Sequence, residues 1–196
     1  MKIAWIGTGV MGESMAGHLL DAGYELYVYN RTVSKTENLV KRGAKLLTEI
    51  KDAPLNADVV FTMVGYPKDV EGVYLGNDGL ITTAKEGQVF VDMTTSSPTI
   101  AKKISEEFAK VGASALDLPV TGGDIGAKNG TLSIMVGGDK KVYEEKVLPL
   151  VKHLGKNITY FGEAGKGQYA KLANQIAIAT TMISVAESFK FAKEVG

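Results

Sequence analysis

Lys2-Ile3-Ala4-Trp5-Ile6-Gly7-Thr8-Gly9-Val10-Met11-Gly12 carries the strongest architectural signal in the chain. An apolar run meets three glycines spaced G-x-G-x-x-G. A helical pattern follows, with Met11, Met15, Leu19 and Leu20 apolar and Gly23 as the stop. Strand, turn and helix in that order give the spacing a physical meaning. Gly7 permits the tight turn out of the strand, Gly9 lets a pyrophosphate approach the backbone, and Gly12 lets helix and strand pack closely. Free N–H groups and the positive end of the helix dipole then face the phosphates. The segment from Gly7 through Thr8, Gly9, Val10 and Met11 to Gly12 is therefore read as a dinucleotide site; a glycine-rich turn without a ligand is the alternative.

Beyond this turn, strands and helices alternate. Apolar patterning predicts strands at 3–6, 25–30, 45–47, 59–64, 88–93, 114–118, 131–136 and 158–161. Helices are predicted at 10–22, 33–42, 49–53, 68–74, 98–111 and 142–154. The run Val59-Val60-Phe61-Thr62-Met63-Val64 is almost wholly apolar, as suits a parallel strand covered on both faces. Repeated β-α-β units imply an α/β fold with a doubly wound, mainly parallel sheet and right-handed crossovers.

Residues 1–164 form this domain, and 165–196 read as one long helix. Leu172, Ile176, Met182, Ile183, Phe189 and their apolar neighbours leave it few solvent positions. A helix apolar on nearly every side calls for burial, and the preceding residues can cover only one side. A further domain or a second subunit is expected over the rest, and the chain is expected to be cut short.

Composition narrows the function. Lys plus Arg equals Asp plus Glu at 22 each, so no global field favours nucleic acid or an anionic membrane. Without cysteine there is no thiol catalysis and no disulfide, and two separated histidines suggest no metal site. No apolar run is long enough to span a bilayer and no leader precedes the first strand, so a cytoplasmic location is expected.

Strand 2 ends in Tyr29-Asn30-Arg31-Thr32. Where NAD enzymes place an acidic residue for the ribose hydroxyls, about 20 residues past the glycine turn, this chain has neutral Asn30. A carboxylate would repel a 2′-phosphate and Asn30 would not. Arg31 offers it a planar fork, with Thr32 and Lys35 adding a hydroxyl and a charge. NADP is thus expected over NAD; a helix start with Arg31 solvated is the alternative.

Ligands of open parallel sheets collect beyond the carboxyl ends of the strands. Met63, Val64 and Pro67 are placed there, as is Thr95 within Asp92-Met93-Thr94-Thr95-Ser96-Ser97-Pro98. The hydroxyls before Pro98 are helix caps, line the nicotinamide side of a cleft, or both. Thr121-Gly122-Gly123 reads alone as a plain turn and, beside a cofactor, as a cradle for a small carboxylate. Lys171 interrupts the apolar helix, with Asn174 and Gln175 three and four residues on and so on one side. Partly removed from water, it would have a lowered pKa suited to proton transfer near neutrality; snorkelling to solvent is the alternative. His18 and His153 are read as structural.

Together these segments resemble the β-hydroxyacid dehydrogenase family, which includes 3-hydroxyisobutyrate and 6-phosphogluconate dehydrogenases and tartronate semialdehyde reductases. The matching pieces are Ile6 to Gly12 with Met15-Ala16, Asp92 to Thr95 with Ser97-Pro98, Asp117 to Gly123, Gly130-Thr131-Leu132 with Gly137-Gly138, and Gly167 with Lys171 to Gln175. The resemblance implies a Rossmann-type domain, a long interdomain helix, and an all-helical second domain that often dimerises and is missing here. It implies a small 3-hydroxy acid or semialdehyde as substrate, held by Thr121, Gly122, Gly123, Asn174 and Gln175, with Lys171 as general acid and base. Thr121 stands where many members have serine, and Gln175 where many have asparagine. The Lys-x-Ala-Asn-Gln form is similar to that of tartronate semialdehyde reductases. The Lys-x-x-His-Asn pattern of 6-phosphogluconate dehydrogenases is absent, because Asn174 occupies the histidine position. A non-catalytic dinucleotide-binding module, a 6-phosphogluconate dehydrogenase-like activity and an imine reductase are the other readings.

Overall fold

The structure, a computed structural model, describes residues 1–196. Six strands run parallel: β1 (Lys2–Ile6), β2 (Glu25–Tyr29), β3 (Lys45–Leu46), β4 (Val59–Thr62), β5 (Val89–Asp92) and β6 (Ser114–Asp117), in the spatial order β3-β2-β1-β4-β5-β6. This is the doubly wound order that turns back on itself at β1, and it opens a crevice beyond the carboxyl ends of β1 and β4.

The near-continuous apolar runs have a direct cause. Ile3 and Trp5, Val59 and Phe61, and Val89 and Val91 pack into one core of 26 buried residues. Ala4 and Ile6, Val60 and Phe90 pack into a second, of 14, on the opposite face. Neither face of a central strand can be polar when helices cover both. The first face carries α1 (Gly12–Asp21) through Met15 and Leu19, and α2 (Glu37–Lys41) through Leu39. The second carries α3 (Ala53–Asn56), α4 (Pro67–Leu75) and α5 (Pro98–Lys110) through Ala53, Val70 and Tyr74, and Ile104 and Phe108.

Past β6 the pattern departs from simple alternation. Pro119, with no N–H to give, separates β6 from a two-residue continuation, β7 (Val120–Thr121). A short helix, α6 (Gly123–Asn129), follows it; the sequence reading has neither element. β8 (Leu132–Gly137) then runs antiparallel to β6 and β7, with Asp117 opposite Gly137 and Val120 opposite Ile134. The expected helix at 142–154 begins at Lys140 and ends at Val151, and its middle, Tyr143–Val147, is a π-helical turn between α7 (Lys140–Val142) and α8 (Leu148–Val151). β9 (Gly155–Gly162) pairs parallel with β8 and is longer than expected. The helix expected at 33–42 is in fact a 3-10 turn, Val33–Thr36, leading into α2, because Thr36 Oγ1 donates to the Val33 carbonyl at 2.7 Å.

The last element, α9 (Lys166–Val195), extends about 45 Å at 1.5 Å per residue. Only Gly167, Gln168 and Lys171 in it are buried. From Leu172 onward its apolar side chains, Ile176, Met182, Ile183 and Phe189 among them, are exposed. No helix is long and apolar enough to cross a membrane.

Candidate active site

The glycine turn lies between β1 and α1. Gly7 has φ +95°, and a Cβ there would lie 2.2 Å from the Met63 carbonyl oxygen. A Cβ on Gly12 would lie 1.9 Å from the Gly7 oxygen. A Cβ on Gly9 would meet no protein atom within 4 Å. Two of the glycines are therefore required by the protein, and the third faces open space. That space belongs to a cleft of about 590 Å³, a size that suits a bound small molecule. Gly7, Gly9, Val10, Met11 and Gly12 line it at one end, Asn30, Arg31, Thr32 and Lys35 along the side, and Met63 and Val64 beneath. Backbone open over Gly9 and exposed cations at Arg31, Lys35 and Lys68 fit the phosphates of a dinucleotide.

Three expected members do not line this cleft. Thr8, within the turn, is buried and its hydroxyl has no partner. Pro67 starts α4, where its fixed φ suits the first helical turn. Thr95 is half-buried on the loop after β5, outside the cleft.

Two contacts escaped the sequence reading. The Thr8 N–H donates to Asn30 Oδ1 at 3.0 Å, and Asn30 Nδ2 donates to the Thr32 carbonyl at 2.9 Å. Asn30 is thus a latch between the end of β2 and the glycine turn, as well as a neutral residue on the cleft wall. Trp5, the sole tryptophan, is fully buried, stacks on Phe61 and donates its indole N–H to the Gly7 carbonyl at 3.0 Å.

Two buried carboxylates close the ends of β5 and β6. Asp92 Oδ1 accepts from Thr62 Oγ1 at 2.9 Å and from the Thr94 N–H at 3.0 Å. Asp117 accepts from the Gly165 N–H at 2.7 Å and the Gln168 N–H at 2.8 Å. Burial pushes both acids up to about 6 in spite of these donors. An unfolded carboxyl titrates near 3.8. Between about pH 4 and 6 the folded chain therefore holds protons that the unfolded chain has released. Stability from these groups falls as pH rises through that window and is level above it. Asp92→Asn keeps an acceptor and removes the charge. Its stability relative to the parent should rise by roughly 1–3 kcal/mol from pH 4 to pH 7, read by urea unfolding at each pH; a flat difference refutes the assignment.

Lys171 sits on the second turn of α9, one turn beyond Gly167, where a Cβ would lie 2.5 Å from both the Asp117 and the Met135 carbonyl oxygens. That close seat draws the helix onto the sheet. Lys171 exposes 5% of its surface, so its stem is packed away from water, and desolvation lowers its pKa with no counter-charge contributing. Asn174 is half-buried with an unpartnered Oδ1, whereas Gln175 is exposed. Thr121 is half-buried, and Gly122 and Gly123 are exposed with φ of +132° and +64°. His18 Nε2 lies 2.9 Å from the Ala127 carbonyl and joins α1 to α6, while His153 packs edge-on against Tyr24. No group of three or more potential metal ligands comes together.

Comparison with known proteins follows the same geometry. The sequence profile of the NAD binding domain of 6-phosphogluconate dehydrogenase matches residues 2–162. The chain belongs to the β-hydroxyacid dehydrogenase family. Its nucleotide cleft is accordingly that of a nicotinamide dinucleotide. An uncharacterized oxidoreductase of Bacillus subtilis, YkwC, is 52% identical over 99% of this chain and 67% of its own length. The 2-hydroxy-3-oxopropionate reductase of Escherichia coli is 41% identical over 100% of this chain and 66% of its own. The solved structure of Mycobacterium tuberculosis 3-hydroxyisobutyrate dehydrogenase with L-serine superposes with a TM-score of 0.91 at 31% identity, covering 100% of this chain and 66% of that one. The chain spans 58–68% of the length of the curated relatives it matches.

Proposed function

We propose that this protein is an NADP-dependent oxidoreductase that interconverts a small 3-hydroxy acid and its semialdehyde. The observation that carries the reading is Lys171, a lysine packed to 5% exposure and without a counter-charge, on a helix seated against the carboxyl ends of the sheet. When bound, the reduced nicotinamide supplies a hydride to the substrate's carbonyl carbon. Lys171 gives its proton to the carbonyl oxygen as charge builds there and takes one back from the alcohol in the reverse direction. The hydroxyl of Thr121 and the backbone N–H groups of Gly122 and Gly123 hold the substrate carboxylate, and Asn174 Oδ1, left without a partner, accepts from a polar group of the substrate. A three-carbon semialdehyde acid, such as the substrate in the name of the Escherichia coli relative, fits so small a set of polar contacts. The apolar side chains of α9 beyond Leu172 are read as the seat of a helical domain through which copies pair.

Preference for NADP follows from Arg31 and Lys35 on an exposed cleft wall with no carboxylate at position 30. The test is steady-state reduction of a panel of short semialdehyde acids with NADPH and with NADH. NADPH should give the higher kcat/KM. Arg31→Ala should raise the NADPH dissociation constant by roughly 10- to 100-fold, the worth of a charge-assisted pair, and leave that for NADH nearly unchanged. Tighter binding of NADH by the parent protein refutes the preference, and no turnover of any panel member refutes the substrate class.

A further inference from the structure

Gly165, which begins α9 with φ +87°, has no side chain to cap the helix. The cap comes instead from Asp117, 48 residues earlier, whose two oxygens take the N–H groups of Gly165 and Gln168. The side chain of Gln168 is fully buried and both of its polar ends are used. Its Oε1 accepts from the Ser96 N–H at 2.8 Å, and its Nε2 donates to the Thr94 carbonyl at 2.8 Å. The amide thus pairs with backbone on both sides of Thr95, as a neighbouring strand would. Thr94 in turn donates nothing to α9 but accepts through Oγ1 from the Val64 N–H at 3.0 Å, which ties in the floor of the nucleotide cleft. One chain of bonds therefore runs from the cleft floor through the β5 loop to the first turn of α9, three residues before Lys171. An ordinary helix contact would need no such polar apparatus, and a buried amide is tolerated only when satisfied at both ends.

We propose that Gln168, supported by the Asp117 cap, is a positioning residue that sets Lys171 against the β5 loop and hence against the reacting carbonyl. The inference rests on Lys171 being the proton carrier. Gln168 touches neither cofactor nor substrate; it fixes the distance and direction from which the ammonium approaches. A displacement of about 1 Å in such a group is enough to cost on the order of 100-fold in rate.

The test uses two substitutions and two readouts. Gln168→Met keeps the length of the side chain and removes both polar ends. Its kcat should fall about 10- to 100-fold, with the NADPH dissociation constant within about threefold of the parent. Without cofactor, the pH midpoint for reductive methylation of Lys171, followed by mass spectrometry of its peptide, should move up toward the ordinary lysine value of about 10.4 as water reaches the loosened helix. Gln168→Glu sets a carboxylate against the Thr94 carbonyl when ionised. When protonated, it can again accept from Ser96 and donate to Thr94. Its rate relative to the parent should be low at pH 8 and recover as pH falls. The ratio removes the parental share of the Lys171, Asp92 and Asp117 titrations, and the Lys171 methylation midpoint measured in Gln168→Glu separates any shift of that lysine from the titration of residue 168. If Gln168→Met keeps the parental kcat and methylation midpoint, the positioning role is overturned. If Gln168→Met fails to fold, the Gln168→Glu ratio decides, and a ratio independent of pH overturns the proposal. Full activity of Lys171→Ala is a separate result, which overturns the reading beneath.

Discussion

Lys171→Ala is expected to lower the rate of semialdehyde reduction by about 10²- to 10⁴-fold, the usual range for losing a positioned general acid. The NADPH dissociation constant should change by less than about threefold, because Lys171 lies outside the cleft lined by the glycine turn. The reason lies in its surroundings. Residue 171 is packed to 5% exposure, and burial is what lowers the lysine's pKa. An ammonium in that state gives up its proton more readily than one in water, and no carboxylate holds it back. The pH profile supplies a second measurement. The reductive direction needs the protonated form, so kcat for reduction should fall as pH rises through the lowered pKa, and oxidation should show the opposite trend. Replacement by arginine keeps the charge but not the transferable proton, and should not restore the rate. A variant with parental kcat would remove Lys171 from the chemistry.

Gly12→Ala should be among the most damaging single methyl groups in the nucleotide domain. Its Cβ would stand 1.9 Å from the carbonyl oxygen of Gly7 and 3.0 Å from the indole nitrogen of Trp5. Backbone cannot yield as the tip of a side chain does, so the turn must open. Overpacking alone costs about 1–3 kcal/mol, and the same movement breaks the Trp5 bond to Gly7. Thermal stability should drop, and dinucleotide affinity should fall by more than about 100-fold, some 3 kcal/mol. Gly9→Ala separates the two effects. With no protein atom within 4 Å of the added methyl, the fold should keep its melting temperature while the cofactor loses its approach to the backbone. Equal affinity in parent and Gly9→Ala, measured by fluorescence titration with NADPH, would contradict the placement of the pyrophosphate.

Much of this architecture is legible in the sequence for a plain physical reason. Strands covered on both faces must be apolar at successive positions, so Val59-Val60-Phe61 and Val89-Phe90-Val91 announce themselves. Glycines crowded by carbonyl oxygens cannot be anything else, which makes Gly7 and Gly12 visible. Lys171 is visible because a cation breaks an apolar pattern. The helix Gly123–Asn129 is not, because Gly-Asp-Ile-Gly-Ala-Lys-Asn has no apolar stripe. It is held by burial of Gly126 and Ala127 and by the contact of His18 with Ala127. Val120–Thr121 is too short for any period to register, and its pairing depends on β8 arriving from the other direction. The bonds of Asp117 and Gln168 are hidden for another reason. Their partners lie 48 to 74 residues away, and no local spacing encodes them. Gln168 stands out only once the structure shows it buried beside Gly167 and clasping the β5 loop.

The place of Trp5 has a practical corollary. Trp5 is the one indole in these 196 residues, and its ring nitrogen is hydrogen-bonded to the very turn that receives the nucleotide. A reduced nicotinamide absorbs in the region where a buried indole glows, so excitation energy passes between them when both are present. The molecule carries a built-in optical gauge of cofactor occupancy, and association and release can be timed on it without attaching a dye.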